Sequence, residues 1–145
     1  MRVDKKSLFL SVGICLLPIL IGVYYYDVLP EQISIHFNFK GEPDNFVSKT
    51  RAIIDIPIFL AIVQVIISLV VDFDKTPKKG ALIIKGIAPL ISVLVQGGVI
   101  AYALDNNFNV SQLAIFVIGI VLIILGNYLP KKEFWGKYNF NLFGL

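Results

Sequence analysis

The sequence predicts an all-α integral membrane protein: four transmembrane helices with both termini cytoplasmic, and a short extracellular β-strand and turn between helices 1 and 2. Three observations predict it. The chain of 145 residues is 57% apolar and 16% charged, with a mean hydropathy of +0.79; soluble domains lie near ~45–50% and ~25%. The apolar residues are gathered into four blocks rather than spread. The basic residues stand at the block ends, so a net charge of +3 reports topology instead of a nucleic-acid surface. The length suits one folded unit, a single integral membrane domain over 1–145.

The first span is Ser7–Tyr26, near the ~20 residues a helix needs to cross hydrocarbon. Arg2, Lys5 and Lys6 precede it as they would a signal peptide. Its end, Val23-Tyr24-Tyr25-Tyr26-Asp27, offers no small-residue cleavage site and reads as an interfacial aromatic belt, so an uncleaved signal anchor is expected. Pro18 is expected to bend it. The second span, Ala52–Val71, carries Asp55, Pro57 and Gln64, and the short link Asp72–Gly80 makes the next helix an antiparallel neighbour. The third, Ala81–Ala103, holds Lys85, Pro89, Gln96, Gly97 and Gly98. After the turn Leu104–Asn109 the fourth span, Val110–Leu129, ends at Pro130. The tail mixes lysines with Phe134, Trp135, Tyr138, Phe140 and Phe143, a composition suited to the headgroup layer.

Orientation follows from the basic residues. Arg2, Lys5, Lys6, Lys75, Lys78, Lys79, Lys131, Lys132 and Lys137 fall on one side, nine against the three of the 27–51 segment, Lys40, Lys49 and Arg51. The positive-inside rule puts the nine, and with them both termini, on the cytoplasmic side.

The polar stretch 27–51 then faces outward. Ile33, Ile35, Phe37 and Phe39 alternate with Gln32, Ser34, His36, Asn38 and Lys40, the period of a strand. Gly41-Glu42-Pro43-Asp44-Asn45 stops it with a turn. The apolar side of the strand is expected to rest on the outer helix ends, with His36 exposed on the polar side near Glu42 and Asp44, where it is either a plain surface residue or a pH-sensing or metal-binding group. One histidine and one cysteine, Cys15 inside an apolar run, exclude an intrachain disulfide and argue against a self-contained zinc site.

Polar groups at membrane depth are functional candidates because burying them is costly. Asp55 lies about 24 Å above the inner end of its span and Lys85 about 6 Å above the inner end of its own, so they do not pair. Lys85 is expected to snorkel to the cytoplasmic surface. Gln96, about 22 Å up, matches Asp55 in depth, and Gln112 starts the fourth span near that level. These three predict a polar cluster at the outer mouth; the plainer reading makes Asp55 interfacial and Gln96 an interhelical hydrogen bond. Gly97-Gly98 point to close helix packing. No nucleophile stands beside a base and no phosphate loop, HExxH or CxxC occurs, so neither an enzyme nor a cofactor is expected.

Leu29-Pro30 with Ile33, Ile35-His36-Phe37-Asn38, Gly41-Glu42-Pro43-Asp44 and Ser48-Lys49 resemble the LPxxIPxHFxxxGxPDxxxSK pattern of the N-terminal module of SdpI-like membrane proteins. Gly126-Asn127-Tyr128-Leu129-Pro130-Lys131 and Phe143-Gly144 look like the GNxxPK and GIRTPW elements of that family. Ser34 stands where the pattern has its second proline, and the chain ends at Leu145, where the family continues into two further spans. The resemblance implies a bacterial membrane protein giving immunity to, or sensing, a secreted peptide toxin. It also implies a cytoplasmic repressor as a possible second partner beside the lipid bilayer and the toxin. The residues it implicates in binding are Pro30, His36, Phe37, Asn38, Gly41, Pro43, Asp44, Ser48 and Lys49. Two other readings compete: a small transporter or ion-conducting subunit using Asp55, and an assembly subunit with Gly97-Gly98 and the aromatic tail as partner surfaces.

Overall fold

The computed structural model describes residues 3–38, 40–73, 78–105 and 107–128. Among them are four helices and a two-stranded hairpin, in the order α1 (Lys5–Tyr24), β1 (Gln32–Phe37), β2 (Pro43–Ser48), α2 (Lys49–Phe73), α3 (Lys78–Leu104) and α4 (Val110–Tyr128). Each expected span lies largely within one helix. Helices α2 and α3 run past the apolar residues at both ends, because a helical hydrogen-bond ladder continues as readily through Lys49–Arg51 or Asp72 as through valine. Pro130, the aromatic tail, Phe39 and Lys75 lie outside the described residues.

Helices α1, α2 and α3 pack against one another, while α4 packs on α3. Lys5–Tyr24, Lys49–Phe73 and Gly80–Leu104 are long and apolar enough to cross a membrane, with mean hydropathies of 2.3, 2.6 and 1.9. The apolar part of α4, Val110–Gly126, is shorter. The three-helix core has the inverse polarity of a soluble bundle. Phe9, Leu20, Ile62, Ile66, Leu82 and Val93 are exposed on its outside, while Gln64, Ser68, Ser92 and Gln96 are wholly buried. That distribution suits an apolar solvent.

Each core helix carries an interior proline, Pro18, Pro57 and Pro89, and all three face inward. A proline removes one ladder donor and leaves the carbonyl four residues earlier unanswered, which lipid does not tolerate unless neighbouring groups compensate. Polar side chains of α3 reach the backbone close to two of these breaks. Ser92 Oγ donates to the Cys15 carbonyl at 2.7 Å, and Gln96 Nε2 donates to the Ala52 carbonyl at 2.9 Å. They tie α1 and α2 to α3.

At the end away from the hairpin Lys85 does not snorkel. It is 4% exposed, and Nζ donates to Asp72 Oδ1 at 2.6 Å. Asp72 Oδ2 accepts the Asp4 N–H at 3.1 Å, and Asp4 Oδ1 accepts the Ser7 N–H, capping α1. Asp72 is expected in a link from the sequence; α2 instead extends through Phe73 and swings that carboxylate into reach. Three helix ends thus share one charged knot. Removing one member of a buried pair strands the other, so Lys85→Met is expected to cost about 3 kcal/mol. The double change Lys85→Met/Asp72→Leu recovers most of it in a denaturant titration of the purified protein in micelles.

Candidate functional site

The hairpin is seated on the helix ends by apolar contact. Leu29 and Ile33 are buried with Ala52, Ile53, Val99 and Ile100, and Ile35, Val47 and Tyr26 pack around them. Phe37 meets Tyr102 edge-on, with ring centroids 4.9 Å apart. A polar collar closes the side towards α1. Lys49 Nζ donates to Glu31 Oε1 at 2.9 Å and lies 4.6 Å from the centre of the Tyr26 ring. The Lys49 N–H donates to the Glu31 carbonyl at 3.0 Å, and the Tyr26 hydroxyl shares a 2.7 Å hydrogen bond with Thr50 Oγ1.

The strand expected over 32–40 is present as β1, and it has a partner that the sequence reading missed. β2 pairs antiparallel with β1, Gln32 opposite Ser48, Ile33 opposite Val47 and Ser34 opposite Phe46. His36 then faces Asn45 and Phe37 faces Pro43, so Ile35 is an extra residue on β1 and Asp44 an extra one on β2. These two bulges break the strict alternation. Ser34, expected on the polar side, is buried, and its hydroxyl donates to the His36 carbonyl at 2.8 Å. His36 remains exposed and beside Asp44, with Nδ1 and Asp44 Oδ1 2.6 Å apart. A carboxylate only accepts, so the proton is on Nδ1, and Nε2 is the ring's outward-acting nitrogen.

Asn38 organises the turn. Its Oδ1 accepts from the Lys40 and Glu42 N–H groups at 2.9 and 3.0 Å, and its Nδ2 donates to Glu42 Oε2 at 2.9 Å. Its backbone bonds to Glu42 and Gly41 complete an Asx-type loop. Gly41 sits at φ +81°, where a side chain is disfavoured. A Cβ there would come within 2.5 Å of Ser111 Oγ in the first turn of α4. The turn therefore rests on α4, whose N-terminus Asn109 caps through the Gln112 N–H at 3.0 Å. Gly98 performs the matching service below: Leu113 of α4 occupies the space a Cβ would need.

The residues implicated by the resemblance are thereby placed. His36, Asn38, Gly41, Pro43, Asp44 and Ser48 lie in the hairpin, Phe37 in its seat and Lys49 in its collar, while Pro30 is exposed at the entry. Asp55, Gln96 and Gln112 are not joined by hydrogen bonds. Asp55 Oδ2 accepts from Arg51 Nε at 3.0 Å, Gln96 turns to the Ala52 carbonyl, and Gln112 is exposed. Ala52 lies one turn from Asp55 on α2, and the two face different ways. Sequence reasoning also passed over Phe46, 51% exposed on β2. Its signal was the adjacent pair Phe46-Val47, of which only one member can face a core. Among the described residues no three His, Cys, Asp or Glu groups gather as a metal site.

Residues 13–61 match the model of the Domain of unknown function (DUF1648). The match takes in most of α1, the whole hairpin and the first half of α2, so its centre is the hairpin with its seat. No curated protein and no solved structure matches the chain.

Gly41→Ala adds both a steric clash and an unfavourable backbone region, the latter about 1–2 kcal/mol. Faster hydrogen exchange at Asn38–Glu42 is expected, and Gly41→Ala/Ser111→Ala should recover only the steric part. Equal exchange in wild type and Gly41→Ala would show the turn free of α4.

Proposed function

We propose that this chain is a non-enzymatic protein of the bacterial cell membrane that binds, and protects against or senses, a secreted peptide toxin at an exterior hairpin. Both termini then lie in the cytoplasm, with α4 as the fourth span. The basic residues at the helix ends support that orientation. One observation carries the reading: a hairpin held rigidly above the helices has no third strand on β2 among the described residues, and projects Phe46 from it. An extended peptide can add to such an edge by main-chain hydrogen bonds, with an aromatic anchor beside it. A cytoplasmic repressor is the second partner this reading allows, at the lysine-rich ends.

The transporter reading draws less support, since the Asp55 carboxylate is engaged by Arg51 at the surface. The assembly reading keeps one observation: α4 packs on α3 and leaves Ile115, Phe116 and Ile123 exposed.

The test is survival of a toxin-sensitive bacterium expressing the chain. Wild type should protect, deletion of Gly41–Asp44 should abolish protection, and Phe46→Lys should weaken it by the ~2 kcal/mol or more of an interface anchor. Membrane levels of each variant are checked alongside. Killing that is the same with wild type and empty vector removes the proposal.

A further inference from the structure

At the end opposite the hairpin, α1 and α3 part to leave a cleft of about 320 Å³, lined by Leu10, Ile14, Leu82, Pro89 and Leu90 with Ser7, Ser11, Lys85 and Gly86. It opens because small residues face each other there: two serines one turn apart on α1, and Gly86 on α3, where an added Cβ would meet nothing within 4 Å. Its walls run from the Ser7 level to the Ile14 level, about 10 Å along the axis. Its outer lips, Leu10 and Leu82, are exposed and apolar, so the mouth gives onto the same surroundings as the lipid-facing helix surfaces.

The charged end of this cleft is not neutral in its donor count. The Lys85 ammonium has three N–H donors. One is given to Asp72, and no second acceptor stands within hydrogen-bond distance among the described residues, although Lys85 is almost wholly buried and lines the wall. Lys5 and Lys6 are exposed on the turn of α1 that precedes Ser7. An apolar slot ending in a buried ammonium that has one acceptor among the described residues, flanked by two exposed lysines, matches a molecule with an acyl chain and an anionic phosphodiester. Basic pockets between membrane helices hold such headgroups.

We propose that the α1/α3 cleft is a binding site for one anionic phospholipid, its acyl chain between Leu10, Ile14 and Leu90 and its phosphodiester at Lys85 and Ser7. The bound lipid covers the gap left by Ser11 and Gly86 and supplies a further acceptor to Lys85. This is independent of any encounter at the hairpin.

The full chain, purified in mild detergent, is titrated with phosphatidylglycerol or phosphatidylcholine and read by native mass spectrometry. Wild type should retain one phosphatidylglycerol with about tenfold preference over phosphatidylcholine. Gly86→Leu, whose Cβ enters open space on the cleft wall, should lose that bound copy, and Ser7→Leu should weaken it. Gly119→Leu on α4, where an added Cβ likewise meets nothing within 4 Å, should bind as wild type. Replacing Lys5 and Lys6 by glutamine should lower the headgroup preference by about tenfold. Equal retention by wild type and Gly86→Leu, or equal affinity for the two lipids, would overturn the proposal. So would displacement of the lipid by millimolar inorganic phosphate alone, which would leave the acyl wall without a role.

Discussion

The hydrogen bond from Gln96 to the Ala52 carbonyl expresses the constraint under which this molecule is built. Among apolar helices a backbone carbonyl that lacks its helical partner has no water to turn to. Each of the three helices is interrupted by proline, and α3 sends one donor to each neighbour beside its break: Gln96 to the Ala52 carbonyl, next to the Ile53 carbonyl that Pro57 frees, and Ser92 to the Cys15 carbonyl, next to the Ile14 carbonyl that Pro18 frees. The hydrophobic effect cannot hold these helices together, since lipid is as apolar as leucine. Directional bonds and close packing must do it, and they fix α3 as the central element, touching α1, α2 and α4 alike.

That fixed core determines what the hairpin can be. Ile33 enters a cluster whose other walls, Ala52, Ile53, Val99 and Ile100, belong to the helix segments around the Gln96 tie. A two-stranded hairpin alone is marginal in water. Here Ile33, the Phe37–Tyr102 contact and the Lys49–Glu31 pair seat it on the ends of α2 and α3. At the other end the Asp4–Asp72–Lys85 knot joins α1 to the same two helices. The bundle is therefore closed at one end by the charged knot and at the other by the apolar hairpin seat with its polar collar, with the Ser92 and Gln96 ties between.

Much of this was legible in the chain. The four helices announced themselves by composition, three of them long and apolar enough to cross a membrane, and the turn announced itself by Gly41. β2 was not legible, because Pro43, Asp44 and Asn45 are turn formers, and a strand made of them exists only through pairing with β1. The polar cluster failed on azimuth. Rise along a helix gives depth, but Ala52 and Asp55 point in directions about 60° apart, and one faces α3 while the other faces outward. Lys85 failed on a boundary: snorkelling presumes that water is the nearest polar medium, and one further turn of α2 made a carboxylate nearer.

The residues that gave the polar segment its recognisable pattern turn out to be occupied with one another. His36 holds Asp44, Asn38 holds the turn, Gly41 meets Ser111, and Lys49 holds Glu31. Side chains spent on internal bonds shape a surface more than they read a partner. The positions that the pattern leaves open behave otherwise: Asn45 and Phe46 stand exposed on β2, and Lys40 at the turn. A frame of fixed residues can thus carry variable contacts without losing its register, because the two bulges and the Asn38 loop set the register independently of what Phe46 is. Discrimination between peptides would then come from the open positions, and loss of the frame would abolish every specificity at once.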